Sequence, residues 1–395
     1  MSNYKKIKRN RNIFGKNYGI SAGATIIWTL LIIFFVGIGW FLYEPIYKLV
    51  TEGVPRKEPS PITDIANETD NPPLAENEPP LEENPTEPVK QKNMSCSYIP
   101  TSILLDNDAL EQHLLTLNKD KINSVMIDLK DINGNILYKT QLNGYNETRI
   151  VSSDAIDLKE TISKITEKGF SVVGRIYAFK DHVAPLLFGD MSIKYMDTNM
   201  IWLDNTKENG GRPWLNPYSE TAQNYIIDIA NEAYSLGVRD IVFDGVQFPS
   251  AGLSVANFGK ISKTNSEILK DFAEKADNSA NEKGGRAFIA VNSSAIFGDN
   301  KIYGGNPLDF AKYGVALNLQ PSLFTNDFKL SEDVVLENPT ANQGKTVEAI
   351  LSALKNDLDI EKTIAILGGG TTDHLSEQAE KTAAFGIKDY IAIMP

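Results

Sequence analysis

Gly237-Val-Arg-Asp-Ile-Val-Phe-Asp-Gly-Val-Gln-Phe-Pro249 is the stretch on which the fold class turns. Gly237 reads as a helix stop, Ile241-Val242-Phe243 as a short buried run, and Asp244 as a carboxylate at its end. A fully apolar run of that length fits a parallel strand covered on both faces. In α/β barrels the C-terminal ends of such strands carry the reactive groups, because the loops that follow them form the active-site face. Asp244 is therefore the first candidate for chemistry.

Seven similar runs flank it. Strands are expected at Ser97–Ile99, Ser124–Leu129, Ser171–Tyr177, Ile241–Asp244, Ala287–Val291, Val315–Leu319, Thr363–Leu367 and Tyr390–Ile393. Amphipathic stretches with recognisable ends lie between them. Asp157-Leu-Lys-Glu160 has the form of a capping box and Gly169 that of a C-terminal stop. Asn216-Pro217 reads as an N-cap with proline in the first turn of a helix that Gly237 closes, and Gly386 closes the last helix. Eight β/α units predict an α/β fold of the (β/α)8 TIM type over residues 95–395.

The preceding residues are of another kind. Lys5, Lys6, Lys8, Arg9, Arg11 and Lys16 make residues 1–18 a basic tail. Residues 19–43 carry no charged side chain, and at about 1.5 Å per residue they are long enough to cross a bilayer as a helix. Trp40, Tyr43 and Tyr47 sit near one end, where interfacial aromatics belong. Residues 44–94 are rich in Pro and Glu and poor in large apolar side chains, the composition of a disordered, extended linker. The charge asymmetry predicts a single-pass anchor in the lipid bilayer, with the N-terminus cytoplasmic and the barrel outside the cell membrane.

Composition narrows the chemistry. A net charge of -12 argues against a nucleic-acid surface, which needs clustered cations. The single cysteine, Cys96, excludes an intrachain disulfide framework and a cysteine-based zinc site. His113, His182 and His374 are widely spaced, so no metal and no cofactor is expected. Nothing in the sequence specifies an oligomeric state. Any hydrolytic chemistry must then rest mainly on carboxylates.

The strand ends supply candidates: Asp128, Arg175, Asp244, Asn292 and Asn318. Glycosidic cleavage needs two carboxyl groups flanking the bond, about 5–5.5 Å apart for retention and about 6.5–9.5 Å for inversion. Asp131, in Asp131-Ile-Asn-Gly134, reads equally well as a turn residue. Asp128 serves either in chemistry or as a partner of Arg175. The long segment after the third strand offers Asp181 and Asp204 as further candidate acids, and it contains the aromatics Trp202, Trp214 and Tyr218. Its rings stack on sugar faces or simply pin the loop to the barrel.

The motifs IDLKDINGNILY, GRIYAFKD, WLNPYSE and GVRDIVFDGVQFP occur in the order and spacing of a family of bacterial glycoside hydrolases, which the chain resembles. That family is a TIM barrel distantly similar to α-amylase-type enzymes, with the usual forms VIDVKDDNG, ARIVVFKD, WVDPY and FDYVRFP. The likeness is good from about residue 95 to 300 and poor over the last quarter. It carries over Asp128, Lys130, Asp131, Arg175, Lys180, Asp181, Trp214, Pro217, Tyr218 and Asp244 by position, and it implies a carbohydrate substrate. The chain departs from the family at Gly245 and Gln247, where Tyr and Arg are usual. Ala295 stands in the place of an acid before Phe297-Gly298, and Asn318-Leu-Gln-Pro321 replaces an aromatic-rich run. In amylase-like barrels the nucleophile ends strand four and the general acid ends strand five, and here only the first position is a carboxylate. The resemblance thus implies Asp244 as nucleophile or base, with Asp128, Asp181 or Asp204 as acid. Lys130, Arg175, Trp202, Trp214, Tyr218, Gln247, Asn292 and Asn318 complete the expected substrate site. The alternative is a degenerate barrel that binds glycan, or serves as a surface scaffold, without hydrolysis.

Overall fold

A computed structural model describes residues 93–394, apart from 147 and 311. The basic tail, the apolar segment 19–43 and the linker up to residue 92 lie outside the described residues. No helix among the described residues is long and apolar enough to cross a membrane.

Eight parallel strands form the barrel: β1 (Ser95–Tyr98), β2 (Ser124–Lys130), β3 (Ser171–Tyr177), β4 (Asp240–Asp244), β5 (Arg286–Asn292), β6 (Val315–Asn318), β7 (Thr363–Gly368) and β8 (Tyr390–Ile393). Each pairs with the next, and β1 pairs with both β2 and β8, so the sheet closes on itself. The expected strands all form, with ends shifted by no more than two residues. The chain enters β1 through Met94, which is buried and accepts a hydrogen bond from Tyr390.

Closure sorts the side chains by parity. Cys96, Met126, Val173, Val242, Phe288, Ala316, Ile364 and Ile391 fill the interior. Their neighbours Ile127, Ile176, Ile241, Phe243, Ile289, Leu317 and Leu367 face the surrounding helices. At the base, Arg286 binds Asp240 through Nε (2.9 Å) and Nη2 (2.9 Å), and Asp389 through Nη1 (2.7 Å). The interior below the mouth is therefore closed by packing and by this ion pair.

Among the described residues, six helices of ten or more residues pack outside: α1 (Asn107–Thr116), α2 (Leu158–Glu167), α3 (Glu220–Leu236), α4 (Asn265–Glu282), α5 (Gln343–Ala353) and α6 (Thr372–Phe385). The β5–β6 connection holds only the short helix Ser293–Phe297 and two 3-10 turns in place of a long helix. Gly237 (φ 112) and Gly386 (φ 109) close α3 and α6 in the left-handed region that glycine tolerates best. Asn216 is not the cap of α3. It turns back to accept from the Tyr218 N–H (3.0 Å), and Ser219 caps the helix three residues later. The Asn216 carbonyl accepts from the Ser219 N–H (2.9 Å), so residues 216–219 form a turn ahead of the helix.

One irregularity governs the second strand. Asp128 pairs with Arg175, but Lys130 pairs with Ile176, so two residues of β2 oppose one of β3. The bulge turns Lys130 to the outer side of the barrel. There its ammonium donates to the Tyr177 carbonyl (2.6 Å) and lies 2.9 Å from Asp181, both side chains fully buried. Asp181 Oδ1 also accepts from the Val183 and Ala184 N–H groups, 2.8 Å each. Gly134 (φ 103) packs so closely on this carboxylate that a Cβ there would stand 2.1 Å from Oδ1. Removing one member of a buried pair strands the other charge, which typically costs about 3–5 kcal/mol. Lys130→Met should lower stability by about that amount in denaturant titrations, and adding Asp181→Asn should recover much of it.

Candidate active site

The C-terminal ends of β1 to β6 bring a polar arc into the barrel mouth: Tyr98, Asp128, Arg175 with Tyr177, Asp244, Asn292 and Asn318. Parity makes this arc. Asp128 and Arg175 are register partners facing inward, as are Tyr177 and Asp244 one step higher.

Asp128 is fully engaged. Arg175 grips it with two hydrogen bonds, Nε to Oδ1 (2.6 Å) and Nη2 to Oδ2 (3.0 Å), and the Tyr98 hydroxyl donates to Oδ2 (2.9 Å). The guanidinium carbon lies 4.8 Å from the Tyr98 ring centroid and 5.2 Å from that of Tyr177. Burial works against the Arg175 charge, but its bonds to Asp128 outweigh burial and hold it firmly protonated, above its ordinary range. Burial, with the charge of Asp128 added, pushes the Tyr98 phenol up to about 12. The phenol is therefore a neutral donor at physiological pH.

Asp244 is in a different condition. Its carboxylate is half-buried and accepts one hydrogen bond, from the Gly245 N–H (2.7 Å). Gly245 reaches that position at φ 63 and packs against Lys180, which a Cβ would approach to 3.3 Å. Burial raises the Asp244 pKa above the ordinary carboxylate value. Arg175, the Gly245 N–H and Lys180 oppose the rise, and the Asp128 charge adds to it. The carboxyl opens to water on one side, yet protein surrounds it deeply enough for desolvation to dominate.

The rest of the mouth is set by strand register. Asn318 Nδ2 donates to Asn292 Oδ1 (3.1 Å) and Asn318 Oδ1 accepts from the Gln320 N–H (3.2 Å). Asn292 is exposed, and Gln247, in the loop after β4, is half-buried. Tyr303, from the 3-10 turn Lys301–Tyr303, comes close enough to be influenced by Asp244. Burial pushes its phenol to about 12, a backbone hydrogen bond from Asn292 opposes this, and the Asp244 charge reinforces it.

Several expected site residues lie elsewhere. Lys130 and Asp181 are fully buried behind the mouth, bound to each other, because the β2 bulge turns the lysine outward. Asp131 is the turn residue, its Oδ1 accepting from the N–H groups of Asn133, Gly134 and Asn135. Asp204 organises the long loop, accepting from the Arg212 N–H (2.7 Å) and from Trp214 Nε1 (3.0 Å). Trp202, Trp214 and Ile193 of that loop are buried with Ala256 of the loop after β4 in a small shared core, and Trp202 Nε1 donates to the Gly252 carbonyl (3.0 Å). Both rings pin the loop. Tyr218 packs edgewise on Phe258 and donates its hydroxyl to the Lys263 carbonyl (2.9 Å). Tyr98 and Tyr177 escaped notice in the sequence although strand-end parity predicts both. Tyr303 gave no sequence signal.

A family model described as "putative glycosyl hydrolase domain" matches residues 96–362. The chain belongs to that family. Among solved structures, the glycosyl hydrolase barrel is similar to the glycoside hydrolase domain of PgaB (BpsB) from Bordetella bronchiseptica, at 13% identity and TM-score 0.52, over 76% of this chain and 94% of that one. A hypothetical protein from Ruminiclostridium thermocellum matches at 24% identity and TM-score 0.43, over 49% of this chain and 95% of that one. The α-galactosidase TtGalA from Thermus thermophilus matches at 12% identity and TM-score 0.48, over 77% of this chain and 62% of that one. At these identities the likeness is one of fold. No curated protein matches the chain.

The Asp244 environment has a measurable consequence for the glycosyl hydrolase domain. A folded-state pKa above the unfolded value of about 3.9 means that the folded chain holds this proton more tightly. The stability so conferred is complete below pH of about 3.9 and is lost as pH rises through the raised value. Asp244→Asn should therefore raise Tm at pH 7, and the gain should vanish in scans near pH 3.

Proposed function

We propose that the barrel is a glycoside hydrolase that takes a glycan across its mouth, with Asp244 as proton donor. The observation that carries this is the contrast between its two mouth carboxylates. Asp128 is gripped by Arg175 and Tyr98, whereas Asp244 has a single backbone partner and a raised pKa. An acid must keep its proton near working pH, and burial is the ordinary means of arranging it. Asp244 is thus better suited to donate a proton to a leaving oxygen than to attack, the reverse of the role the family resemblance implies. The neutral hydroxyl of Tyr98 and the amides of Asn292 and Asn318 suit the hydroxyl groups of a sugar.

A second reading, glycan binding without turnover, is favoured by one specific observation. β5 ends in Asn292 rather than an acid, and on strand spacing alone β2 and β4 are about 10 Å apart with Arg175 between them. Assays of the full chain against bacterial wall glycans distinguish the readings. Asp244→Asn should reduce kcat/KM by about 10²–10⁴-fold while leaving glycan binding intact, and wild-type activity should fall as pH rises through the Asp244 pKa. Binding with no turnover by the wild type selects the second reading, and unchanged turnover in the variant removes Asp244 from the mechanism.

The same proposal places the domain outside the cell, held by the segment 19–43 and separated from the bilayer by the linker 44–94. The six cations of residues 1–18 and the uncharged stretch that follows support this orientation. Protease treatment of intact cells should release the barrel, and a barrel protected until lysis would overturn the topology.

A further inference from the structure

We infer that the substrate is a β-linked 2-acetamido sugar polymer and that its acetamido group supplies the nucleophile the barrel lacks. The inference rests on Asp244 as proton donor, and three observations of the mouth carry it.

The first is the count of available carboxyls. Asp128 is the carboxylate whose charge acts on Asp244, and its oxygens already accept three hydrogen bonds. The loop after β4, residues 245–264, contains no Asp or Glu, and β5 ends in Asn292. One acid is in place and an attacking carboxylate is not. Glycosidases that work with one acid draw the second group from the substrate.

The second is the floor beside Asp244. Phe243 is the register partner of Ile289, which sets Asp244 level with Ala290 on the next strand, and Ala290 is the partner of Ala316 on β6. Ala316 is fully buried in the interior layer, and Ala290 packs against that layer and is partly exposed, so beside the acid the mouth has a shallow apolar recess floored by the Ala290 methyl. A methyl group fits there, whereas a hydroxyl would lose its hydration without a partner.

The third stands above that recess. Asn292 follows Ala290 by two residues on the same inward face, and its Oδ1 is occupied by Asn318 Nδ2. Its amide therefore presents N–H donors, the complement of an amide carbonyl. Methyl recess and donor together match an acetamido group lying beside the proton donor.

The step balances. Asp244 gives its proton to the glycosidic oxygen as the C1–O bond breaks, and the bonding pair stays on that oxygen. The acetamido carbonyl oxygen of the same sugar bonds to C1 and forms a cyclic oxazolinium. Water then adds at C1, its proton goes to the Asp244 carboxylate, and the C1–acetamido bond breaks to restore the carbonyl. Attack from the face opposite the leaving group requires a 1,2-trans glycoside, which in the gluco series is β-linked.

The test uses the full chain in detergent with 4-nitrophenyl β-glycosides of N,N′-diacetylchitobiose and of cellobiose. Release is expected from the acetamido substrate alone, at rates that fall stepwise as the acetyl hydrogens are replaced by fluorine. The thiazoline of N-acetylglucosamine should inhibit competitively. Ala290→Leu, with its fold checked by circular dichroism, should lose both turnover and thiazoline binding. Comparable turnover of the cellobioside, indifference to fluorination, or a covalent 2-fluoroglycosyl adduct by intact mass would overturn the inference while leaving Asp244 as the acid of a hydrolase. Absence of turnover on both glycosides, without thiazoline binding, overturns the hydrolase reading as well.

Discussion

A closed parallel sheet allows each strand residue only two directions, and the mouth of this barrel follows from that constraint. Because β1 pairs with both β2 and β8, no strand can slip by one residue without turning its apolar set out of the interior. Val173, Val242 and Phe288 are thereby locked inward, and the residues two places further along, Arg175, Asp244 and Ala290, must emerge at the mouth. The position of Asp244 is a consequence of core packing below it, with no separate device needed to aim it.

The exception to parity is as informative as the rule. Without the bulge after Asp128, Lys130 would share the mouth with Arg175. It would add a further cation to Arg175 and Lys180 around Asp244 and draw the carboxyl toward its ionised form. Sent outward instead, Lys130 meets Asp181 and fastens β2 and β3 to the start of the long loop. A structural pair and an uncrowded acid arise from the same local irregularity.

The long loop shows how composition misleads about role. Trp202 and Trp214, with Asp181 and Asp204, in a segment between a strand and a helix have the look of a sugar site. Burial decides otherwise, because a segment of that length needs an apolar nucleus of its own to stay ordered. Trp202 and Trp214 form it, and Asp204 satisfies the Trp214 N–H. The aromatic groups at the mouth are Tyr98 and Tyr177, which come from strand ends; Tyr303, from a turn between β5 and β6, is buried close to Asp244.

Local patterns in the sequence determined the eight strands, the Asp157 cap of α2, the glycine ends of α3 and α6, and the identity of Asp244 as a strand-end carboxylate. Apolar runs and glycine stops are short-range signals, legible without knowing the partners. Tertiary structure alone decided which polar residues are available. That Asp128 is held by Arg175 and Tyr98, that Lys130 and Asp181 lie behind the mouth, and that Ala290 stands level with Asp244 all depend on cross-strand register and on one bulge. Such contacts join residues tens of positions apart. Their geometry is fixed by closure of the sheet rather than by any neighbour along the chain.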